Sequence, residues 1–389
     1  MVTRVTNTMM QNTLLSNLSM NLSRMDKLQN QLSTGRKFGH ISDDPSSLIY
    51  GQAARNKLAR LAHYQGSVEM AQSWLTQAEA GVMEVNKVVG AIYEELVSAG
   101  SVKTDSDKQN LAMVVKQLQD HYLDTLNTAF GDRFVFGGYN TPGDWAVSQP
   151  TEGKPFTVVD IVDDTLVPPR SVPTLHFNGF NISQFNGMST LDFFAEDPDL
   201  SGATPPGPSA ADFAVLRHLM NDVINFDVGP GISMPVTQNG IDVVFFVSQN
   251  EAGEPVIRDT FSLIDEIYLA INGVPESRVL AAGGVYDPED VNVRPKTTDE
   301  LTKLIGEIQG AQNHLLTKTA EIGGRQRRLE LLEARYSQDN LNYEKMRSDA
   351  EDADMAEVIM FLKMAETVYQ AALSAGARVI QPTLMDFLR

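Results

Sequence analysis

The side chains that could do chemistry in this chain are scattered. Six histidines (His40, His63, His121, His176, His218, His314) never recur four apart, so no helix face can present a pair of imidazoles to a metal, and no His-Glu-x-x-His occurs. No Gly-x-Ser-x-Gly elbow is present to expose a nucleophilic serine, and no glycine-rich nucleotide loop follows a strand. The adjacent acids Asp43 and Asp44 could in principle share a cation. However, Asp44 before Pro45 reads as a helix N-cap followed by proline at the first helical position. Asp163-Asp164 and Asp197/Asp199 read as solvated turn residues. There are no cysteines, which removes disulfides and thiolate metal sites. The residues imply no catalysis, no cofactor and no metal.

The organisation lies in the elements instead. After Pro45, positions alternating three and four apart read Leu61, Tyr64, Val68, Ala71, Leu75, Ala78, Val82, Val85, Val89, Ile92 and Leu96, all apolar. That spacing keeps one stripe on one side of a helix over many turns. From Leu301 the same rule picks Leu304, Ile308, Ala311, Leu315, Lys318, Ile322, Arg325, Leu329, Leu332, Tyr336, Asp339, Tyr343 and Met346, interrupted at Lys318, Arg325 and Asp339, which read as solvated or register-setting positions. Two long helices from opposite ends of the chain are expected to bury these seams against each other. Leu75, Val82, Val89, Leu315, Ile322 and Leu329 are the expected rod core. A shorter helix over about Asp105–Ala129 completes the bundle. Weaker seams run near the termini, through Leu15, Leu18, Leu22, Met25 and Leu32 and through Met355, Ile359, Leu362, Tyr369, Leu373 and Ile380. One reading folds these ends back onto the bundle as a pair of helices; the expectation taken forward is that they lack a partner in the monomer and order on assembly.

Composition separates the middle. Of 18 prolines, 16 fall between Thr141 and Thr297, and residues 141–297 carry 7 basic and 22 acidic side chains out of a chain net charge of −19. That segment is expected to be an inserted acidic module, β-rich or α+β. Its strands are expected at Phe156–Val162, Thr174–Asn178 and Ile241–Val247, and its helices at about Ala210–Asn225 and Thr260–Ile271. Its acidity argues against nucleic acid, which needs clustered Lys and Arg. No run of about 20 apolar residues is present to insert into a membrane, and Met1–Met20 lacks the apolar core of a cleaved signal peptide.

Between the first two helices, Leu32-Ser-Thr-Gly-Arg-Lys and Ser42-Asp-Asp-Pro resemble the segment that joins the corresponding helices of the bacterial flagellins, with Gly35, Asp43, Asp44 and Pro45 as the matching positions. The end, Tyr369-Gln-Ala-Ala-Leu-Ser-Ala, Val379-Ile-Gln and Leu384-Met-Asp-Phe-Leu-Arg389, is similar to the end of the same family. Gly131-Asp-Arg-Phe-Val-Phe-Gly-Gly-Tyr-Asn-Thr141 resembles an element of the hook-associated branch of that family, with Phe134 in place of its tyrosine. Read by itself, that element is a short strand presenting Phe134 and Phe136 to one face, then a bend at Gly137 and Gly138.

The resemblance implies a mainly α, flagellin-like elongated helical bundle, a coiled-coil rod built from both chain termini with the middle domain inserted. Its parts are an inner-core helix and linker (1–43), the two halves of the rod domain (44–140 and 298–350), a variable outer domain (141–297) and a C-terminal inner-core helix (351–389). It further implies a structural protein, extracellular in the flagellum at the hook–filament junction, exported by the type III route without a cleaved signal peptide. The implied partners are hook-associated protein 1, flagellin, further copies in a ring, and an export chaperone at the C-terminal helix. Leu15, Leu18, Leu22, Met25, Leu362, Tyr369, Leu373, Ile380, Leu384 and Phe387 are the expected layer between subunits. Within the class, the alternatives are a flagellin or another axial protein that polymerises as filament, or hook-associated protein 1 itself. Outside it, the middle could be a surface-binding module using Trp145, Phe177, Phe180, Phe185, Phe193 and Phe194.

Overall fold

The computed structural model describes residues 7–39, 43–101, 104–131, 133–138, 153–163, 166, 168–195, 208–250, 252–282, 287, 290 and 292–379. The chain divides into two compact units, Met1–His63 with Ala334–Arg389, and Tyr64–Glu333. The class is mainly α, with a long helical region derived from both termini and a small sheet-containing middle. No helix among the described residues is long and apolar enough to cross a membrane.

In the unit Tyr64–Glu333, helix α2 (Pro45–Ser101) and helix α9 (Thr298–Glu351) contribute their facing portions. Val68, Leu75, Val82, Val89 and Leu96 of α2 are buried, as are Leu304, Ile308, Leu315, Ile322 and Leu329 of α9. Polar rungs beside these seams fix an antiparallel register. Gln309 donates to the Tyr93 hydroxyl at 3.2 Å, Gln326 to Glu79 at 2.9 Å and Gln72 to Glu333 at 2.9 Å. Lys318, an interruption of the seam, is not solvated: its side chain is 17% exposed, 3.4 Å from Glu321 and near Asp242. Helix α3 (Asp105–Leu126), capped by Thr104, buries Val115, Tyr122 and Leu126. It ends three residues before the expected Ala129, because the chain turns into a short hairpin, β1 (Ala129–Phe130) with β2 (Arg133–Phe134).

The middle segment builds on this frame. Strands β3 (Phe156–Asp163), β4 (Arg170–Phe177) and β5 (Phe180–Asn181) form an antiparallel sheet in that order, with Phe156 opposite Phe177 and Asp163 opposite Arg170. The β4–β5 turn is Asn178-Gly179, both at positive φ (49° and 80°), the pair that a two-residue hairpin of matching twist requires. Helices α4 (Thr190–Phe194) and α5 (Ala210–Asn221) follow, the latter held by a capping box between Ser209 and Asp212. It stops before the expected Asn225, which instead opens hairpin β6 (Asn225–Gly229)–β7 (Ile232–Pro235).

The expected strand Ile241–Val247 is corrected. Its first part is a helical turn, α6 (Gly240–Val244), and only β8 (Phe245–Gln249) is extended, pairing with β9 (Pro255–Asp259). The cause is Asn239, whose side chain accepts from the Ile241 N–H at 2.9 Å and starts a helix. Helix α7 (Thr260–Asn272) and the short α8 (Glu276–Ala281) complete the segment. Of the middle aromatics, Phe177, Phe185 and Phe193 are buried and Phe180 half-buried, with Phe185 in edge contact with Phe193 and Phe213. Phe194 is exposed, and Trp145 lies outside the described residues.

Helix α7 begins on a fully buried carboxylate. Asp259 accepts from the Ser262 N–H at 2.6 Å, yet burial pushes its pKa above the usual 3.8. The native state therefore holds this proton more tightly than the unfolded chain. Stability is fully present below the unfolded value and is lost as pH rises through the folded one. Asp259→Asn keeps the capping acceptor without the charge. It is expected to raise the urea midpoint at pH 7, the gain shrinking as the pH falls toward 4; a pH series of denaturation curves checks this.

Candidate assembly surface

In the unit formed by Met1–His63 and Ala334–Arg389, helices α1 (Asn7–Thr34) and α10 (Met355–Val379) pack on each other. Leu28, Val358 and Ala365 are the buried centre, with Met25, Leu32, Phe361 and Leu362 packed around them. Further out, Leu14 lies so close to Gly376 that a Cβ there would sit 2.6 Å from the leucine Cδ2. Leu14 opposite Gly376 and Leu28 beside Val358 set the pair antiparallel. The termini thus have a partner in the monomer, namely each other, and the expectation of unpartnered ends is corrected for the described residues.

The ten residues expected between subunits separate accordingly. Met25 and Leu362 belong to the α1–α10 contact, and Leu18 and Tyr369 are half-buried. Leu15, Leu22 and Leu373 are exposed, and Ile380, Leu384 and Phe387 lie outside the described residues. The expected rod-core residues Leu75, Val82, Val89, Leu315, Ile322 and Leu329 are all buried in the other unit.

Helix α10 also carries an apolar line that the terminal seam omitted. Met360, Met364 and Val368 recur four apart and are 53%, 53% and 46% exposed, and the line continues through exposed Ala371 and Ala375. Met355, Ile359 and Leu373 flank the α1 contact on another side, while Lys363, Thr367, Gln370 and Ser374 supply the polar face. A helix apolar over so much of its circumference is one that expects further burial. Methionine suits such a surface because its thioether adapts to the neighbour it meets.

A compact node sets where this pair starts. Gly35 ends α1 at φ +71°, its N–H donating to the Gln31 carbonyl at 2.8 Å. The following backbone clasps the α9–α10 connection. Lys37 N–H donates to the Glu351 carbonyl and Ala353 N–H to the Gly35 carbonyl, both at 2.8 Å. The Glu351 side chain, 8% exposed, turns into a notch left by Gly51 and bonds to Arg55. Asp43 is held by Lys27 at 2.9 Å. Asp44 caps α2, and its hydrogen bonds, first from Ser47 and then from Ser46, lower its pKa to about 2. The spacing Asp354-x-x-Glu357 marks the start of α10, where Asp354 accepts from the Ala356 N–H at 2.9 Å. Arg55→Ala strands the Glu351 carboxylate. It is expected to cost about 1–2 kcal/mol in urea denaturation, discounted because Arg55 is partly exposed, and to be largely relieved by adding Glu351→Gln.

The Gly131–Thr141 element acts in the other unit. Val135 and Phe136 are both fully buried, so the expected alternation of Phe134 and Phe136 on one strand face is corrected: β2 stops at Phe134 and the chain bends. The Phe136 ring fills the space over Gly81, and its carbonyl accepts from the Gly240 N–H at 3.1 Å. Gly137 is buried in the bend, and Gly138 sits at φ +65° against the Asp222 backbone.

Paired terminal helices, long antiparallel seams and an inserted middle segment give a flagellin-like architecture. Residues 5–141 match the family model of the bacterial flagellin N-terminal helical region, the stretch that holds the Leu32–Lys37, Ser42–Pro45 and Gly131–Thr141 motifs. The resemblance to this family and its hook-associated branch is borne out. Flagellar hook-associated protein 3 of Salmonella typhimurium is 25% identical over 140 residues, 36% of this chain and 44% of that protein. The Escherichia coli protein of the same name is 27% identical over 117 residues, 30% of this chain and 37% of its own length. The match therefore spans less than half the length of these relatives. A solved structure from Vibrio parahaemolyticus, assigned to the flagellar hook-associated proteins, shares the fold at TM-score 0.50 and 14% identity, covering 80% of this chain and 100% of its own.

Proposed function

We propose that this chain is a structural, non-enzymatic component of the bacterial flagellum that joins the filament to the hook. The observation that carries this reading is the uncovered apolar line Met360–Met364–Val368 on α10, with Leu15, Leu22 and Leu373 exposed beside the α1–α10 contact. Identical subunits packing through such lines form a closed ring or a lattice. On this reading the ring sits on hook-associated protein 1 and seats flagellin. The chain reaches its place through the flagellar export apparatus, its C-terminal helix held by an export chaperone. The five segments 1–43, 44–140, 141–297, 298–350 and 351–389 are the inner helix, the rod halves, the outer domain and the C-terminal inner helix of that subunit.

A filament-forming flagellin has the same surface requirement, so the test is genetic. Cells lacking the gene are expected to carry bare hooks and to release flagellin into the medium. Hooks that still bear full filaments would overturn the junction reading. A middle domain that binds surfaces through its aromatics is weakened by the burial of Phe177, Phe185 and Phe193.

A further inference from the structure

Strand β3 is an outer strand of its sheet, since the order is β3-β4-β5 and no other described strand bonds to its far side. Which of its backbone groups face outward follows from the alternation of an antiparallel ladder. The N–H and C=O of Phe156 are both taken by the side-chain amide of Asn127, at 2.9 Å each, so that residue points away from β4. Every second residue does the same, which places the N–H and C=O of Val158, Asp160 and Val162 on the far edge. The opposite set points to β4, in keeping with the Val159 carbonyl accepting from the Thr174 hydroxyl at 2.7 Å. Asn127 thus closes one end of the edge by mimicking a peptide group, and the remaining rungs run into exposed chain. Val159, Ile161 and Val162 are 42%, 41% and 46% exposed there.

Unpaired edges of this kind are templates for another strand, and natural sheets usually blunt them. The exposed charge on this one, Asp160, selects the partner, whereas Asp163 stands opposite Arg170. A second copy pairing edge to edge would bring a strand without a single basic residue, Phe-Thr-Val-Val-Asp-Ile-Val-Asp, against an identical one. Carboxylates would then meet carboxylates, in a segment that already carries 22 acidic against 7 basic side chains. We infer that the Val158–Val162 edge of β3 is a docking site for an extended segment of another protein, one that alternates basic with apolar residues and adds to the sheet as a fourth strand. Main-chain bonds give such a complex its affinity, and the alternate side chains give it selectivity.

The test uses the full-length protein and a short peptide of alternating lysine and valine, with an alternating glutamate–valine peptide as control. Val162→Pro removes an outward N–H without touching the bonds to β4, and edge positions tolerate proline. Asp160→Lys reverses the selecting charge and serves if the proline variant loses its fold. By calorimetry the lysine peptide is expected to bind one to one and the glutamate peptide not at all. Val162→Pro is expected to weaken binding by roughly tenfold, and Asp160→Lys to shift preference toward the glutamate peptide. Failure of the lysine peptide to bind would overturn the inference. So would equal binding by folded Val162→Pro, which marks general attraction to an acidic protein, or a self-association that Val162→Pro abolishes, which makes a second copy the partner.

Discussion

Val368→Asp is expected to abolish incorporation into flagella while leaving the purified protein as stable as its parent. Val368 is 46% exposed and continues the line of Met360 and Met364, none of which belongs to the buried α1–α10 centre. An aspartate there meets water in the isolated subunit, and its cost should stay near the 0.5 kcal/mol of an ordinary surface change. In an assembly that covers the line, the same carboxylate is buried without a partner, a penalty of several kcal/mol at each copy. Leu373→Asp, on the flank, is expected to act in the same direction. Leu362→Asp is the contrast: Leu362 packs in the α1–α10 cluster, so that change should lower the stability of the monomer itself. Complementation of a deletion strain, scored for motility and attached filaments beside urea curves, separates these outcomes. Normal filaments with Val368→Asp would mean that the line is not covered in the assembled state.

Arg278→Ala is expected to lower the stability of the unit Tyr64–Glu333 by about 3–5 kcal/mol, the usual cost of breaking a buried ion pair from one side. Arg278 donates two bonds of 2.8 Å to the Asp265 carboxylate, which is 5% exposed on α7. It also lies over the Tyr268 ring, 5.7 Å from its centroid. Truncation leaves the Asp265 carboxylate without its two hydrogen-bond donors in a site closed to water. Arg170, whose own pKa is lowered by burial first and by Arg278 next, is close enough to Asp265 to offer partial relief. The double change Arg278→Met with Asp265→Leu removes both charges and is expected to recover most of the loss. Urea denaturation of the two variants checks this; an unchanged midpoint for Arg278→Ala would show that solvent or Arg170 replaces the lost partner.

The long helices were legible because eleven positions from Leu61 to Leu96 keep a single phase, and only one side of such a helix can be buried. The terminal pair was legible as helices but not in phase. Leucine and methionine occur on several sides of α1 and α10, so spacing alone could not choose Leu14 and Leu28 over Leu15 and Leu22. For the same reason spacing does not single out Met360, Met364 and Val368: on a helix apolar around most of its circumference, any stripe fits. What decides is the facing helix, and small residues at Ala365 and Gly376 mark where it comes close. In the middle segment, strand β3 and helix α7 followed from local pattern, whereas the apolar run Ile241–Val247 has no period that separates helix from strand. The Asn239 cap was the signal that could have divided it. The Phe136 bend was hidden because its burial depends on the space over Gly81, far away in sequence.

The proposed junction role is most directly tested by immunogold electron microscopy of intact flagella, using antibody against this protein. Gold confined to a narrow zone at the distal end of each hook is the expected result. Gold spread along whole filaments would contradict it and make the chain a filament subunit, and flagella without gold would remove it from the structure altogether.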